Sequence, residues 1–252
     1  MMRARDILRG LDAHQTPDAW MHRLQFDAGE IGRRLPRELL ELHNIVVDRA
    51  RDGAAHGLIL SGSTARSRRT PISDLDYHLI GPRPFTRDLS SQLDLHALTP
   101  TELDAHILAG DDFVQWSLRF GLIVFDDGHL RRAAALIANC KQWPDPDRKR
   151  QQAAKSADLA RRMVASGDPD AALEQTRTAL SLAARARLLF AGVFPGARDE
   201  LPQQLADLGL REAADALAST IHNDTVSLAE LMSAVDLCGP LINTAGDAVS
   251  IA

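Results

Sequence analysis

Two short apolar runs constrain this chain more than any other feature. Leu58-Ile59-Leu60 leads into Ser61-Gly62-Ser63, and ten residues later Asp74-Leu75-Asp76-Tyr77-His78-Leu79-Ile80 begins. Runs of this length bounded by turn formers read as neighbouring β-strands. Between them, Thr64 to Arg69 is polar and basic and predicts one or two helical turns. The first strand therefore delivers Gly62 and Ser63 to the start of a small helix, where outward-pointing backbone N–H groups favour an anion. A phosphate can approach the backbone there because glycine carries no Cβ.

The second run holds the acids. Asp74 and Asp76 are two apart, so on an extended segment they project from one face while Leu75 points into a core. Two adjacent carboxylates repel each other unless a cation lies between them, and hard oxygen ligands of this kind suit Mg²⁺ completed by substrate phosphates. Either half alone also reads as a Gly-Ser turn or an acidic edge strand. Together, on neighbouring strands, they predict a site for a metal–nucleoside triphosphate.

Gly62-Ser63-Thr64-Ala65-Arg66 with Ser73-Asp74-Leu75-Asp76 downstream resembles the motif of polymerase-β-type nucleotidyltransferases, a group that includes the minimal and the aminoglycoside nucleotidyltransferases. The resemblance covers residues 57–98, and more loosely extends to about residue 140. It implies a third carboxylate on the following strand, and Leu93-Asp94-Leu95-His96-Ala97-Leu98 supplies Asp94. It also implies nucleotide-binding roles for Gly62, Ser63, Arg66 and Ser73, and metal-binding and catalytic roles for Asp74, Asp76 and Asp94. One departure is Ser67, where many relatives have a second glycine.

Composition narrows the partners. With 252 residues, 45% of them hydrophobic and 25% charged, the chain has the make-up of a globular protein with one large domain or two modest ones. A formal net charge of −5 argues against a polynucleotide substrate, which needs a basic track. Cys140 and Cys238 lack metal-ligand spacing and read as free thiols of a reducing compartment. No apolar run approaches the length of a membrane span, and the N-terminus has no signal-like core. The expected location is the cytoplasm, with no membrane partner.

Taken in order, residues 1–34 read as an amphipathic lead-in, with Ile7, Leu8 and Leu11 and then Trp20, Leu24 and Phe26 spaced for short helices. Pro36 opens a helix through Leu39, Leu42, Val46 and Ala50, closed by Gly53. Gly81-Pro82-Arg83-Pro84 predicts a loop before the Asp94 strand. Thr99-Pro100-Thr101-Glu102 is a capping box for a helix to about Leu108, and Asp111 caps the next, which ends at Gly121. Leu122 to Phe125 reads as a buried strand, with Asp126 and Asp127 as turn residues rather than ligands. Trp116 reads as core, and His78 and His96 as structural histidines sharing the face of the acids.

Trp143-Pro144-Asp145-Pro146-Asp147 marks the domain boundary, dividing a nucleotidyltransferase domain (1–143) from a helical bundle (147–252). Beyond it the pattern is helical throughout: Ala153, Ala157, Ala160 and Val164 on one helix, then a long one from Asp168-Pro169. Further helices cover about 199–208 and 210–221, and a last one opens at the Ser227–Glu230 capping box. The fold expected is α+β: a small mixed sheet with flanking helices, followed by an antiparallel helical bundle. The basic group Arg148, Lys149, Arg150 and Lys155 reads as a solvated face.

The expected activity is transfer of a nucleoside monophosphate from Mg–NTP to a hydroxyl or amine of a small molecule, such as an antibiotic or natural product, with pyrophosphate leaving. Two Mg²⁺ ions would be held by Asp74 and Asp76, with Asp94 completing the second site or acting as general base. ATP is the expected co-substrate, although no residue selects the base. Two alternatives stay open. One is a protein AMP- or UMP-transferase. The other is a non-catalytic regulatory or antitoxin-like module of the same fold. The oligomeric state is equally open, a homodimer being one arrangement.

Overall fold

The computed structural model describes residues 31, 35–66, 73–82, 92–139, 144–223 and 225–243. They fall into two compact units, one ending at Pro144 and the other starting at Asp145. The readings made for the lead-in through Phe26, for Ser67 and Arg69, for Arg83-Pro84, and for Cys140 and Trp143 lie outside the described residues.

The first unit is α+β. Helix α1 (Arg37–Asp52) starts after Pro36 and buries Leu39, His43, Val46, Val47 and Ala50, an i, i+3/i+4 stripe. Strands β1 (Gly57–Leu60), β2 (Leu75–Ile80), β3 (Leu93–Leu98) and β4 (Leu122–Asp126) form one sheet in the order β3-β2-β1-β4. β1 is antiparallel to both β2 and β4, and β2 is parallel to β3. A one-turn helix α2 (Gly62–Ala65) follows β1. Helices α3 (Pro100–Leu108) and α4 (Asp112–Phe120) precede β4, and α5 (His129–Asn139) follows it.

Side-chain alternation divides the sheet into two faces. Leu58, Leu60, Leu75, Tyr77, Leu79, Leu122 and Val124 pack with the buried stripe of α1. Ile59, Ile80, Leu98 and Ile123 point the other way and pack with Leu103 and Ile107 of α3, Val114 and Leu118 of α4, and Leu130, Ala133, Ala134 and Ile137 of α5. The second face changes character rung by rung. Along the paired strands the rungs read Ile80/Leu98, then His78/His96, then Asp76/Asp94. The apolar rung is buried by the helices, and the acidic rung lies at the sheet end where α2 begins.

The local signals explain the helix ends. Thr99 Oγ1 accepts from Glu102 N–H while Glu102 accepts from Thr99 N–H, a reciprocal capping box with Pro100 in the first turn. Asp111 Oδ1 accepts from Phe113 N–H at 2.9 Å. Asp126 does the same for α5, its carboxylate accepting from the N–H groups of Gly128, Leu130 and Arg131. Helix α5 is missing from the sequence reading, although Leu130, Ala133, Ala134 and Ile137 carry the helical spacing that marks it.

In the second unit all regular structure among the described residues is helical. Helix α6 (Pro146–Ser166) and helix α7 (Pro169–Phe190) form a hairpin whose turn has Gly167 left-handed at φ 75°. Its core is built on small residues: Ala153, Ala157 and Ala160 of α6, with Ala179, Ala183 and Ala184 of α7. Side chains this small let helix backbones approach closely. A 3₁₀ turn (Arg198–Glu200) leads into α8 (Leu201–Asp207), followed by α9 (Arg211–His222). The last expected helix is in fact two, α10 (Leu228–Asp236) and α11 (Cys238–Asn243). Pro240 has no N–H to donate to Asp236, so a continuous helix would lose a bond there.

Candidate active site

The short loop after β1 is welded to the start of β2. Ser61 N–H donates to the Asp76 carbonyl at 2.8 Å, and Thr64 Oγ1–H donates to the Asp74 carbonyl at 3.3 Å. Gly62 sits between them at φ +67°, in the left-handed region. A Cβ built on Gly62 would land on Asp76 Oδ2 and lie 2.7 Å from its Cγ. The Asp76 carboxylate thus rests directly against the glycine backbone, in space that only glycine leaves open.

Asp94 is the register partner of Asp76 on the parallel neighbour β3, so the two side chains leave the same face of the sheet. Asp74 precedes β2 by one residue and its charge reaches Asp76. Asp74 and Asp94 are exposed, whereas Asp76 is half-buried between them. Burial pushes the Asp76 carboxyl up to about 6, with the charges of Asp74 and then Asp94 adding to the shift. Among the residues expected at the site, Gly62, Asp74, Asp76 and Asp94 are brought together. Ser63 is the second residue of α2 and half-exposed, and Ser73 is half-buried immediately before Asp74.

Arg66 takes an unexpected position. Its guanidinium lies over the rings of Trp116 and Phe120 on α4, 5.8 and 5.4 Å from their centroids. The cation is thereby held by aromatic faces at the rim of the α2 turn. Trp116 is half-buried, and its ring also meets Phe120. Only tertiary packing reveals this aromatic seat, because α2 and α4 are fifty residues apart in sequence.

The two histidines differ. His78 is buried, its Nε2 is 3.0 Å from Ser117 Oγ, and burial lowers its pKa to about 4, with His96 adding to the shift. It is therefore a neutral, hydrogen-bonded core residue at neutral pH. His96 is exposed, one rung beyond Asp94 on the same face, with the half-exposed Phe113 ring 5.4 Å away. The expected turn residues also differ: Asp126 caps α5, while Asp127 pairs with His56 at 2.7 Å.

No family model matches the chain, and neither does any curated protein. Among solved structures it is similar to a nucleotidyltransferase-like protein from Exiguobacterium sibiricum. The identity is 18%, the alignment covers 79% of this chain and 72% of that one, and the TM-score is 0.39. The likeness is distant, and what the site can do follows from its own residues. Among the described residues no helix is long and apolar enough to cross a membrane.

The donor set suits a hard divalent cation. Two carboxylates on one rung of the sheet, Asp76 and Asp94, with a third, Asp74, just before β2, are mutually destabilising as anions. A magnesium ion among them would relieve that repulsion and favour the ionised form of Asp76.

Proposed function

We propose that the chain is a nucleotidyltransferase that moves a nucleoside monophosphate from an NTP to a hydroxyl or amine of a small acceptor, releasing pyrophosphate. The observation that carries this reading is the contact between Gly62 and Asp76: an anion-tolerant backbone turn and a half-buried carboxylate share one wall, with Asp74 and Asp94 beside it. Mg²⁺ held by Asp74, Asp76 and Asp94 would supply Lewis-acid neutralisation of the triphosphate. Gly62 and Ser63 offer backbone N–H groups, and Ser63 its hydroxyl, to phosphate oxygens. Ser73 stands at the edge of the same wall.

Asp94 is exposed and therefore able to accept the acceptor's proton as the new P–O or P–N bond forms. Arg66, seated on Trp116 and Phe120, offers positive charge at the rim. ATP is the first co-substrate to try. A mildly acidic chain suits a small cationic acceptor, such as an amino sugar, better than a polynucleotide. The test is incubation with each Mg·NTP and a panel of hydroxylated and aminated small molecules, read by pyrophosphate release and product mass. An acceptor gaining the mass of one nucleoside monophosphate is the expected result. Absence of any NTP binding would overturn the reading.

A further inference from the structure

The opposite end of the sheet carries a second constellation. His56 immediately precedes β1, Asp127 immediately follows β4, and His129 is the first residue of α5. One ligand atom from each lies within 4.8 Å of the other two. His56 Nδ1 is 2.7 Å from Asp127 Oδ2, His129 Nε2 is 3.9 Å from Asp127 Oδ1, and the two imidazoles are 4.4 Å apart between centroids. Gly62 lies six residues beyond His56 along β1, about 20 Å at the rise of a strand. The acids of the candidate active site therefore take no part in this group.

We propose that His56, Asp127 and His129 form a binding site for a borderline transition-metal ion, with Zn²⁺ the best fit. Two imidazoles and one carboxylate are the donor set that such ions prefer and that Mg²⁺ and Ca²⁺ do not. The backbone holding them is already ordered. His56 N–H donates to the Ile80 carbonyl at 2.7 Å, and Asp127 N–H donates to the His56 carbonyl at 2.9 Å. Asp126 accepts from three N–H groups at the start of α5, which offsets the positive helix end that would otherwise repel a cation.

Tetrahedral Zn²⁺ separates its ligand atoms by about 3.3 Å. On that geometry the 2.7 Å contact of His56 Nδ1 with Asp127 Oδ2 must open, and His129 Nε2, 3.9 Å from the other oxygen, Oδ1, must close towards the ion. The side chains of His56, Asp127 and His129 are 39%, 51% and 28% exposed, so these rotations meet little packing and a fourth position stays open to water. Arg132 approaches the far nitrogen of His129, Nδ1, at 3.4 Å but has its own partner in Asp104 at 3.0 Å. With the ion on Nε2, His129 carries its proton on Nδ1 and Arg132 keeps Asp104. The ion would pin the entry of β1, the exit of β4 and the start of α5 together.

The experiment titrates Co²⁺, then Zn²⁺, into untagged full-length protein containing Asp76→Asn and excess Mg²⁺, so that the acidic face is disabled independently. One Co²⁺ per chain with a tetrahedral visible absorption, displaced by Zn²⁺, is the expected result. His56→Gln and His129→Gln should each weaken binding at least about tenfold. Both sites are partly exposed, so circular dichroism should be unchanged in these variants. Binding that is absent, that persists undiminished in the double variant, or that is lost instead in His96→Gln overturns the proposal.

Discussion

Asp76→Asn separates what the acid costs the fold from what it contributes to the site. Its carboxyl is raised from 3.8 to about 6. The folded chain therefore holds the proton more tightly than the unfolded one, and ionisation destabilises the fold. The penalty is absent below the unfolded value of 3.8, grows with pH, and is fully present above about 6. A shift of two units corresponds to about 3 kcal/mol. The group is only part-buried, so solvent screening reduces this to about 1–2 kcal/mol. Asparagine removes the charge at nearly constant volume. With metal chelated, the variant should melt about 2–8 °C above the parent at about pH 7.5 and level with it at about pH 4. Saturating Mg·NTP should reverse the order, because ligand at a hundredfold excess over Kd stabilises the parent alone by about 2.7 kcal/mol. Nucleotide transfer should be lost. Differential scanning fluorimetry across pH, with and without chelator, reads the first part. A variant that melts at or below the parent in metal-free neutral buffer would refute the electrostatic reasoning.

Other positions give sharper single readouts. Gly62→Ala forces a Cβ into a left-handed position worth about 1–2 kcal/mol of strain and displaces the Asp76 carboxylate. Turnover should fall about a hundredfold in a protein that still folds, and steady-state kinetics with near-normal rates would contradict this. Asp94→Ala should depress kcat far more than NTP affinity if Asp94 takes the acceptor's proton, whereas an equal loss of NTP binding by calorimetry would make it a nucleotide ligand. Tyr77→Phe removes the 2.6 Å bond between the Tyr77 hydroxyl and His43 Nδ1, both buried. The stranded imidazole should cost about 1–3 kcal/mol in urea unfolding with no change in NTP affinity.

Much of this architecture was legible in the chain itself, because local patterns report local structure. Alternation separates Leu75, Tyr77 and Leu79 on one face of β2 from Asp76 and His78 on the other, but both faces are buried except at Asp76. The capping boxes at Thr99 and Ser227 located their helix starts, and Asp111 and Asp168 capped theirs as expected. The two-residue period of a strand sets the face of Asp76 alone, because β2 begins at Leu75 and Asp74 stands one residue before it. The order β3-β2-β1-β4 is a different kind of fact. It depends on hydrogen bonds between segments far apart in sequence, and no local period encodes it. Only that pairing sets Asp94 opposite Asp76, presses the Gly62 backbone onto a carboxylate, and seats Arg66 on rings fifty residues away. It also gathers His56, Asp127 and His129 from positions the sequence leaves unconnected. Local propensity chose the elements, and non-local packing, where burial and charge are settled between distant residues, decided what they could do together.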